Sequence, residues 1–282
     1  MIKIDGLVKN YGDFKLDISM KLPAGHVSGI VGRNGAGKST AIKAILGLIA
    51  PDAGSVYTLG KNAAKLSAED RKLIGVAMSD SGFSSYLSVR DISKILAGMY
   101  KDFDPNGFLR KCGENGLPEN KKIHDFSTGM RAKLKVLIAC SHNAKLLIMD
   151  EPTAGLDVVA RGEVLDMLRK YLAEDPERSL LISSHISSDL EGICDDIYMI
   201  QDGKIIFRED TDVILSDYAL LKLSREAYES IDKSHFIKVR EESYGYSCLT
   251  DSRQYYAENY PDAAMESGSI DDVILMLSEG RD

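Results

Sequence analysis

Gly32-Arg33-Asn34-Gly35-Ala36-Gly37-Lys38-Ser39-Thr40 fits the pattern G-x-x-x-x-G-K-[ST] and stands in the context that pattern requires. Ahead of it, His26-Val27-Ser28-Gly29-Ile30-Val31 is a short apolar segment suited to a buried strand; behind it, Ile42, Ile45, Leu46 and Ile49 mark one face of a helix. Strand, glycine-rich loop and helix in that order define a phosphate-binding loop. Its glycines allow a tight turn, so the backbone N–H groups from Gly35 to Thr40 converge on phosphate oxygens at a helix N-terminus, where the helix dipole favours an anion. Lys38 is positioned to reach the β- and γ-phosphates, and the Ser39 hydroxyl to meet Mg²⁺. The pattern thus predicts an α/β nucleoside-triphosphate-binding core.

The composition supports a water-soluble chain with a sizeable core. No apolar run approaches the ~20 residues that cross a bilayer, and Val136-Leu137-Ile138-Ala139-Cys140 is among the longest. Met1-Ile2-Lys3-Ile4-Asp5 lacks a signal peptide's apolar segment, which leads us to expect a cytoplasmic protein. The four cysteines, Cys112, Cys140, Cys194 and Cys248, form no C-x-x-C pair and read as reduced buried thiols. A formal net charge of −8 argues against broad nucleic-acid binding.

Reading outward from the loop, Ile2-Lys3-Ile4 and Lys15-Leu16-Asp17-Ile18-Ser19-Met20 alternate like half-buried strands about a turn near Gly12-Asp13, predicting a small antiparallel sheet. Leu146-Leu147-Ile148-Met149 is an unbroken apolar run that stops abruptly at Asp150-Glu151-Pro152, as a buried parallel strand stops at a sheet's carboxyl edge. Leu180-Leu181-Ile182 repeats the design and ends in Ser183-Ser184-His185. Polar residues at such strand ends face the ligand in open α/β sheets. Ile197-Tyr198-Met199-Ile200-Gln201, then Asp202-Gly203, then Lys204-Ile205-Ile206-Phe207 predicts a hairpin.

Between Asp80 and Asn143 the pattern turns helical, with Leu134, Leu137, Ile138 and Ser141 at helix spacing behind Phe126-Ser127-Thr128-Gly129-Met130. This predicts an inserted helical subdomain over about 80–143. Past residue 215 tyrosines crowd the chain at 218, 228, 244, 246, 255, 256 and 260. No nucleotide motif follows, so we assign 1–215 to the nucleotide-binding domain and 216–282 to a C-terminal α+β accessory domain. Its tyrosines suit packing or dimerisation. Its last segment reads as a helix, with Ser269 and Asp272 as a capping box and Ile270, Val273, Ile274 and Leu277 on one face.

Adjacent carboxylates at a strand end divide the work: Asp150 toward Mg²⁺, Glu151 toward a water attacking the γ-phosphate. With these residues in place, 1–215 resembles the ATP-binding subunit of an ABC transporter. Phe126-Ser127-Thr128-Gly129-Met130 stands where that family has L-S-G-G-Q, keeping Ser127 and Gly129. The resemblance implies that these two face a γ-phosphate held by a second subunit. It likewise implies that Asp157, in Ala154-Gly155-Leu156-Asp157, crosses the dimer interface, that His185 is the switch histidine, and that Tyr11 stacks on adenine.

The chain departs from the family at Ile74-Gly75-Val76-Ala77-Met78-Ser79-Asp80, where Ser79 replaces the usual glutamine. That puts in question a Mg²⁺ contact and the link to the membrane subunit; Asp80 is our expected substitute ligand, with Ser79 as the other candidate. The resemblance implies an ATPase that uses ATP and Mg²⁺, powers a separately encoded transmembrane permease through ATP-driven closure of a homodimer or of a pair with a related ATPase subunit, and lies on the inner face of the membrane. The signature and tail look most like ABC-2 exporters of Gram-positive bacteria, since the tail is too short for an importer's usual β-barrel pair. The alternative is a soluble ABC-type ATPase acting on ribosomes or DNA. One nucleotide module, no cysteine pairs, no sustained heptads and the acidic charge all count against it.

Overall fold

The computed structural model describes residues 1–79 and 82–278. Strands β1 (Ile2–Tyr11) and β2 (Phe14–Leu22) make a hairpin, β3 (Val27–Val31) runs into the phosphate loop, and α1 (Lys38–Ile45) leaves it. Then come β4 (Ala53–Thr58), β5 (Lys61–Asn62), the single turn α2 (Ala68–Arg71) and β6 (Ile74–Ala77). Helices α3 (Val89–Met99), α4 (Pro105–Glu114) and α5 (Thr128–Ala139) fill the insertion. The core resumes with β7 (Leu146–Asp150), α6 (Val158–Ala173), β8 (Ser179–Ser184), α7 (Ser188–Glu191), β9 (Asp196–Gln201), β10 (Lys204–Asp210) and α8 (Thr211–Asp217). The tail holds β11 (Ala219–Leu223), α9 (Arg225–Ser230), β12 (Phe236–Glu242), β13 (Gly245–Thr250), α10 (Arg253–Asn259), β14 (Ala264–Ser267) and α11 (Ile270–Ser278).

Among the described residues, one sheet runs β5-β4-β1-β2-β10-β9-β3-β8-β7-β6. From β9 to β6 every neighbour is parallel. Strands β2, β1, β4 and β5 pair antiparallel. The antiparallel sheet expected from the sequence is present but is not separate. A parallel pairing at Lys204 and Asp17 joins it to the core, helped by the Asp17 N–H donating to Gly203 O at 2.7 Å.

The unbroken apolar strands follow from burial on both faces. In β7, Leu146 and Ile148 pack with Ile42 and Ile45 of α1, whereas Leu147 and Met149 pack with Val164 and Leu168 of α6. Each such side chain contributes about 1.5–3 kcal/mol when fully buried. Together they fix the strand ends carrying Asp150 and Ser183. Helix α1 stops at Ile45, short of the Ile49 suggested by the pattern, because Gly47 adopts φ 66°. The Gly47 N–H donates to Ala44 O and the Leu48 N–H to Lys43 O, closing the helix in a Schellman motif.

The β9–β10 hairpin turns at Asp202 and Gly203, with φ 48° and 73°. A Cβ on Gly203 would lie 1.9 Å from Lys15 O. We therefore expect Gly203→Ala to cost about 1–3 kcal/mol from backbone conformation alone, more once the clash is counted. A thermal melt superimposable on wild type would contradict this.

The insertion has its own core, in which Val89, Ile92 and Leu96 of α3 meet Phe108 of α4 and Leu134 of α5. The tail follows β-α-β-β-α-β order with strands arranged β12-β13-β11-β14, a ferredoxin-like topology. One face of this small sheet supplies Leu221, Leu223 and Cys248 to a cluster that includes Tyr256. Leu220 and Leu249 on the other face join the main core with Ile214, Ile270, Val273 and Met276. The tyrosines pack among themselves: Tyr228 stacks on Tyr246 at 4.0 Å and Tyr256 on Phe236 at 5.1 Å. The capping box predicted for the last helix is formed, Asp272 N–H donating to Ser269 Oγ at 3.1 Å and Ser269 N–H to Asp272 Oδ2 at 3.2 Å. No helix among the described residues is long and apolar enough to cross a membrane.

Candidate functional site: a phosphate-binding cleft

Strands β3, β8, β7 and β6 end side by side, which brings the phosphate loop, His185, Glu151 and Ser79 to one edge. A cleft of about 420 Å³ there is lined by Arg33 to Gly35, Gly37 to Thr40, Phe14, Ser79, Glu151, Ala154 and His185. A larger cleft of about 950 Å³ lies on the other side of the loop, against Lys238 and Arg240 of β12. Lys38, Ser39, Glu151 and His185 line the smaller one. Gly32 and Ala36 shape the loop, and Gly37 forms the N-cap of α1.

Lys38 is buried, and its Nζ donates to Gly32 O at 2.6 Å and sits 3.0 Å from Glu151 Oε1. The other oxygen of Glu151, Oε2, lies 2.5 Å from His185 Nδ1 and accepts the His185 N–H at 3.2 Å. Lys38, Glu151 and His185 are therefore linked in one chain through the two carboxylate oxygens. Glu151 also holds a strained left-handed backbone, φ 53°, while its N–H donates to Ser183 Oγ at 3.0 Å.

Burial pushes the Glu151 carboxyl up, but hydrogen bonds and charge from His185 and Lys38 outweigh it, leaving the group below its ordinary value. A carboxylate lowered on folding stabilises the fold above its unfolded pKa and loses that contribution as pH falls through the lowered value. The stability advantage of wild type over Glu151→Gln is expected to shrink as pH is lowered through the carboxylate range. Paired melts in acid buffers test this, and an advantage that widens with acid contradicts it.

Asp150, only 1% exposed, gathers three hydroxyls. Ser39 Oγ donates to its Oδ2 at 2.9 Å, Ser79 Oγ to the same oxygen at 3.1 Å, and Ser183 Oγ to Oδ1 at 2.7 Å. Hard oxygen donors converging on one carboxylate suit Mg²⁺, which takes carboxylate, hydroxyl and water oxygens. Ser39, Asp150 and Ser79 fit that ion. Ser79 thus sits at the centre despite the loss of glutamine. Asp80, the expected substitute, lies outside the described residues.

The remaining sequence-predicted residues stand elsewhere. Ser127, exposed, caps α5 by accepting the Met130 N–H at 3.2 Å, and Asp157 caps α6 by accepting the Ala160 N–H at 2.9 Å. Gly129 faces the start of α6, where a Cβ would meet Ala160 Cβ at 3.3 Å. None of these three lines the cleft that holds Lys38. Tyr11 is 49% exposed at the β1–β2 turn, and Phe14, its cross-strand partner, is the aromatic residue that lines the cleft. Sequence reasoning missed Phe14 and Ser183. The hairpin register would have suggested the first; the polar ending of β8 already contained the second.

Residues 16–154 match the family model described as ABC transporter. The lantibiotic transport ATP-binding protein SrtF of Streptococcus pyogenes is 33% identical over 216 residues, 75% of this chain and 92% of that protein. The bacitracin transport ATP-binding protein BcrA of Bacillus licheniformis is 36% identical over 214 residues, 73% of this chain and 68% of that protein. Among solved structures, a dimeric post-hydrolysis ATP-binding cassette bound to ADP and Pi shares the fold at TM-score 0.66 and 20% identity, covering 75% of this chain and 99% of that one. The cbiO1 subunit from Clostridium perfringens aligns at TM-score 0.62 and 26% identity, covering 75% and 88%.

Fold and cleft together define an ATP-hydrolysing cassette. The chain belongs to the ABC transporter family, as an ATP-binding subunit that powers transport.

Proposed function

We propose that this subunit drives export through a separately encoded permease, and that two copies close head to tail around ATP. One observation carries the reading: Lys38, Ser39, Glu151 and His185 line one cleft, with Asp150 hydrogen-bonded to Ser39, whereas Ser127 and Asp157 lie outside it. The cleft is half a site. Beside Asp157, Val158 and Val159 are 80% and 72% exposed, apolar surface that a second copy would cover. Export agrees with the lantibiotic and bacitracin transport assigned to SrtF and BcrA. A groove of about 660 Å³ beside Ser79, lined by Phe83, Ile92, Leu134 and Ile138, is our candidate seat for the permease.

Each residue then has a task set by its position. Backbone N–H groups of the loop and Lys38 bind the β- and γ-phosphates, with Lys38 exchanging part of its contact to Gly32 O and Glu151 for phosphate oxygens. Glu151, ionised, accepts a proton from the attacking water, and His185 orients its carboxylate through Nδ1. Tyr11 and Phe14 flank the base. Ser39, Asp150 and Ser79 would hold Mg²⁺, which when bound offsets the phosphate charge. Ser127, Gly129 and Asp157 complete the partner's cleft.

Ser79→Ala should raise the Mg²⁺ needed for half-maximal ATPase activity by on the order of tenfold; an unchanged Mg²⁺ titration would remove Ser79 from the site. Purifying the chain from membranes with whatever co-purifies tests the export reading. Recovery of a membrane permease supports it, and recovery of ribosomes or DNA overturns it.

A further inference from the structure

We infer that the C-terminal helix α11 positions His185, with Asp271 and Glu191 as the positioning residues. The inference rests on the reading, given above, that His185 orients the Glu151 carboxylate.

His185 stands one residue past the end of β8, and Ile186 and Ser187 lead from it into α7, a single turn of 4 residues. One turn is too short to hold itself in place. Its position is therefore set by what packs against it, and two elements do.

On one side, Asp189 of α7 is 3% exposed and accepts from Thr153 Oγ1 at 2.6 Å, with Arg161 Nε at 3.5 Å. Thr153 belongs to the turn between Glu151 and Asp157. This contact ties α7 to the catalytic loop.

On the other side stands α11, about eighty residues away in sequence. Ser187 Oγ donates to Asp271 Oδ1, and the Ile270 N–H donates to Glu191 Oε1 at 2.9 Å. The capping box of Ser269 and Asp272 fixes the start of α11, so the Ile270 N–H is aimed before Glu191 arrives. A carboxylate at a helix N-terminus is also favoured by the dipole. Leu190, Ile270 and Val273, each 1% exposed or less, seal the contact with apolar surface. The switch segment is clamped between the catalytic loop and the last helix of the tail.

The tail is thus part of the catalytic arrangement: a displacement of α11 would be transmitted through Asp271 and Glu191 to the backbone two to six residues past His185. Misplacing a catalytic group by about 1 Å is enough to cost up to ~10²-fold in rate.

The test uses the full chain, with alanine and conservative variants of both residues. Asp271→Ala combined with Glu191→Ala should lower kcat about tenfold while KM for ATP and Tm stay near wild type. Asp271→Asn with Glu191→Gln keeps both acceptor oxygens and should restore the rate. In a His185→Ala background the alanine pair should produce no further loss, because the group it positions is gone. A wild-type kcat for the alanine pair, or an equal loss with and without His185, overturns the inference while leaving the role of His185 intact. If His185→Ala alone hydrolyses ATP at the wild-type rate, the reading of His185 fails first and this inference with it.

Discussion

Glu151→Gln is expected to lower ATP turnover by roughly 10²–10⁴-fold, the usual range for losing a positioned general base, while ATP still binds. The glutamine keeps the shape of the side chain and its acceptor oxygen for His185, but it cannot take a proton from water. The wild-type carboxyl is suited to that task because His185 and Lys38 hold it ionised despite burial. Single-turnover phosphate release measures the chemical step directly. A variant that releases phosphate at the wild-type rate would show that another group is the base.

The second large effect is expected at Lys38. Lys38→Ala removes the cation we assign to the β- and γ-phosphates and leaves the Glu151 carboxylate, 12% exposed, with His185 beside it. Losing one preorganised electrostatic partner typically costs about 10²–10³-fold in kcat, and ATP affinity should fall as well because the same charge binds the ground state. The burial that pushes Glu151 upward would then meet less opposition, so its pKa should rise relative to wild type. Arginine should not rescue the site: its planar fork cannot occupy the position of a compact ammonium donating to Gly32 O. ATP titration with a fluorescent analogue, run beside turnover measurements, checks both halves. Undiminished affinity and turnover in Lys38→Ala would remove the lysine from the phosphate site.

The parts of this molecule legible from sequence are those written in a local pattern. Gly32 to Thr40, the strand ending at Asp150-Glu151, the Asp202-Gly203 hairpin and the Ser269–Asp272 box all lie where their patterns place them. Each is decided within a few residues by φ, burial period or a cap. Contacts between distant segments were not legible. Ser79 meets Asp150 across 71 residues, and nothing near Ser79 announces it. Ser187 and Asp271 meet across 84. The ferredoxin-like order of the tail escaped for a related reason. Its strands are short, and the same tyrosines suit a packed sheet or an exposed dimer face equally well until the stacking of Tyr228 on Tyr246 is seen. Ser127, Gly129 and Asp157 are a different case, since a single copy shows them only as helix starts.

A composite site requires that a second copy complete the cleft. The most direct measurement is the mass in solution of Glu151→Gln with ATP and Mg²⁺, by light scattering, compared with the same protein in ADP. We predict a dimer in ATP that returns to monomer in ADP, and loss of the ATP dimer when Ser127→Arg is added. A chain that binds ATP tightly yet keeps the monomer mass would contradict the composite site.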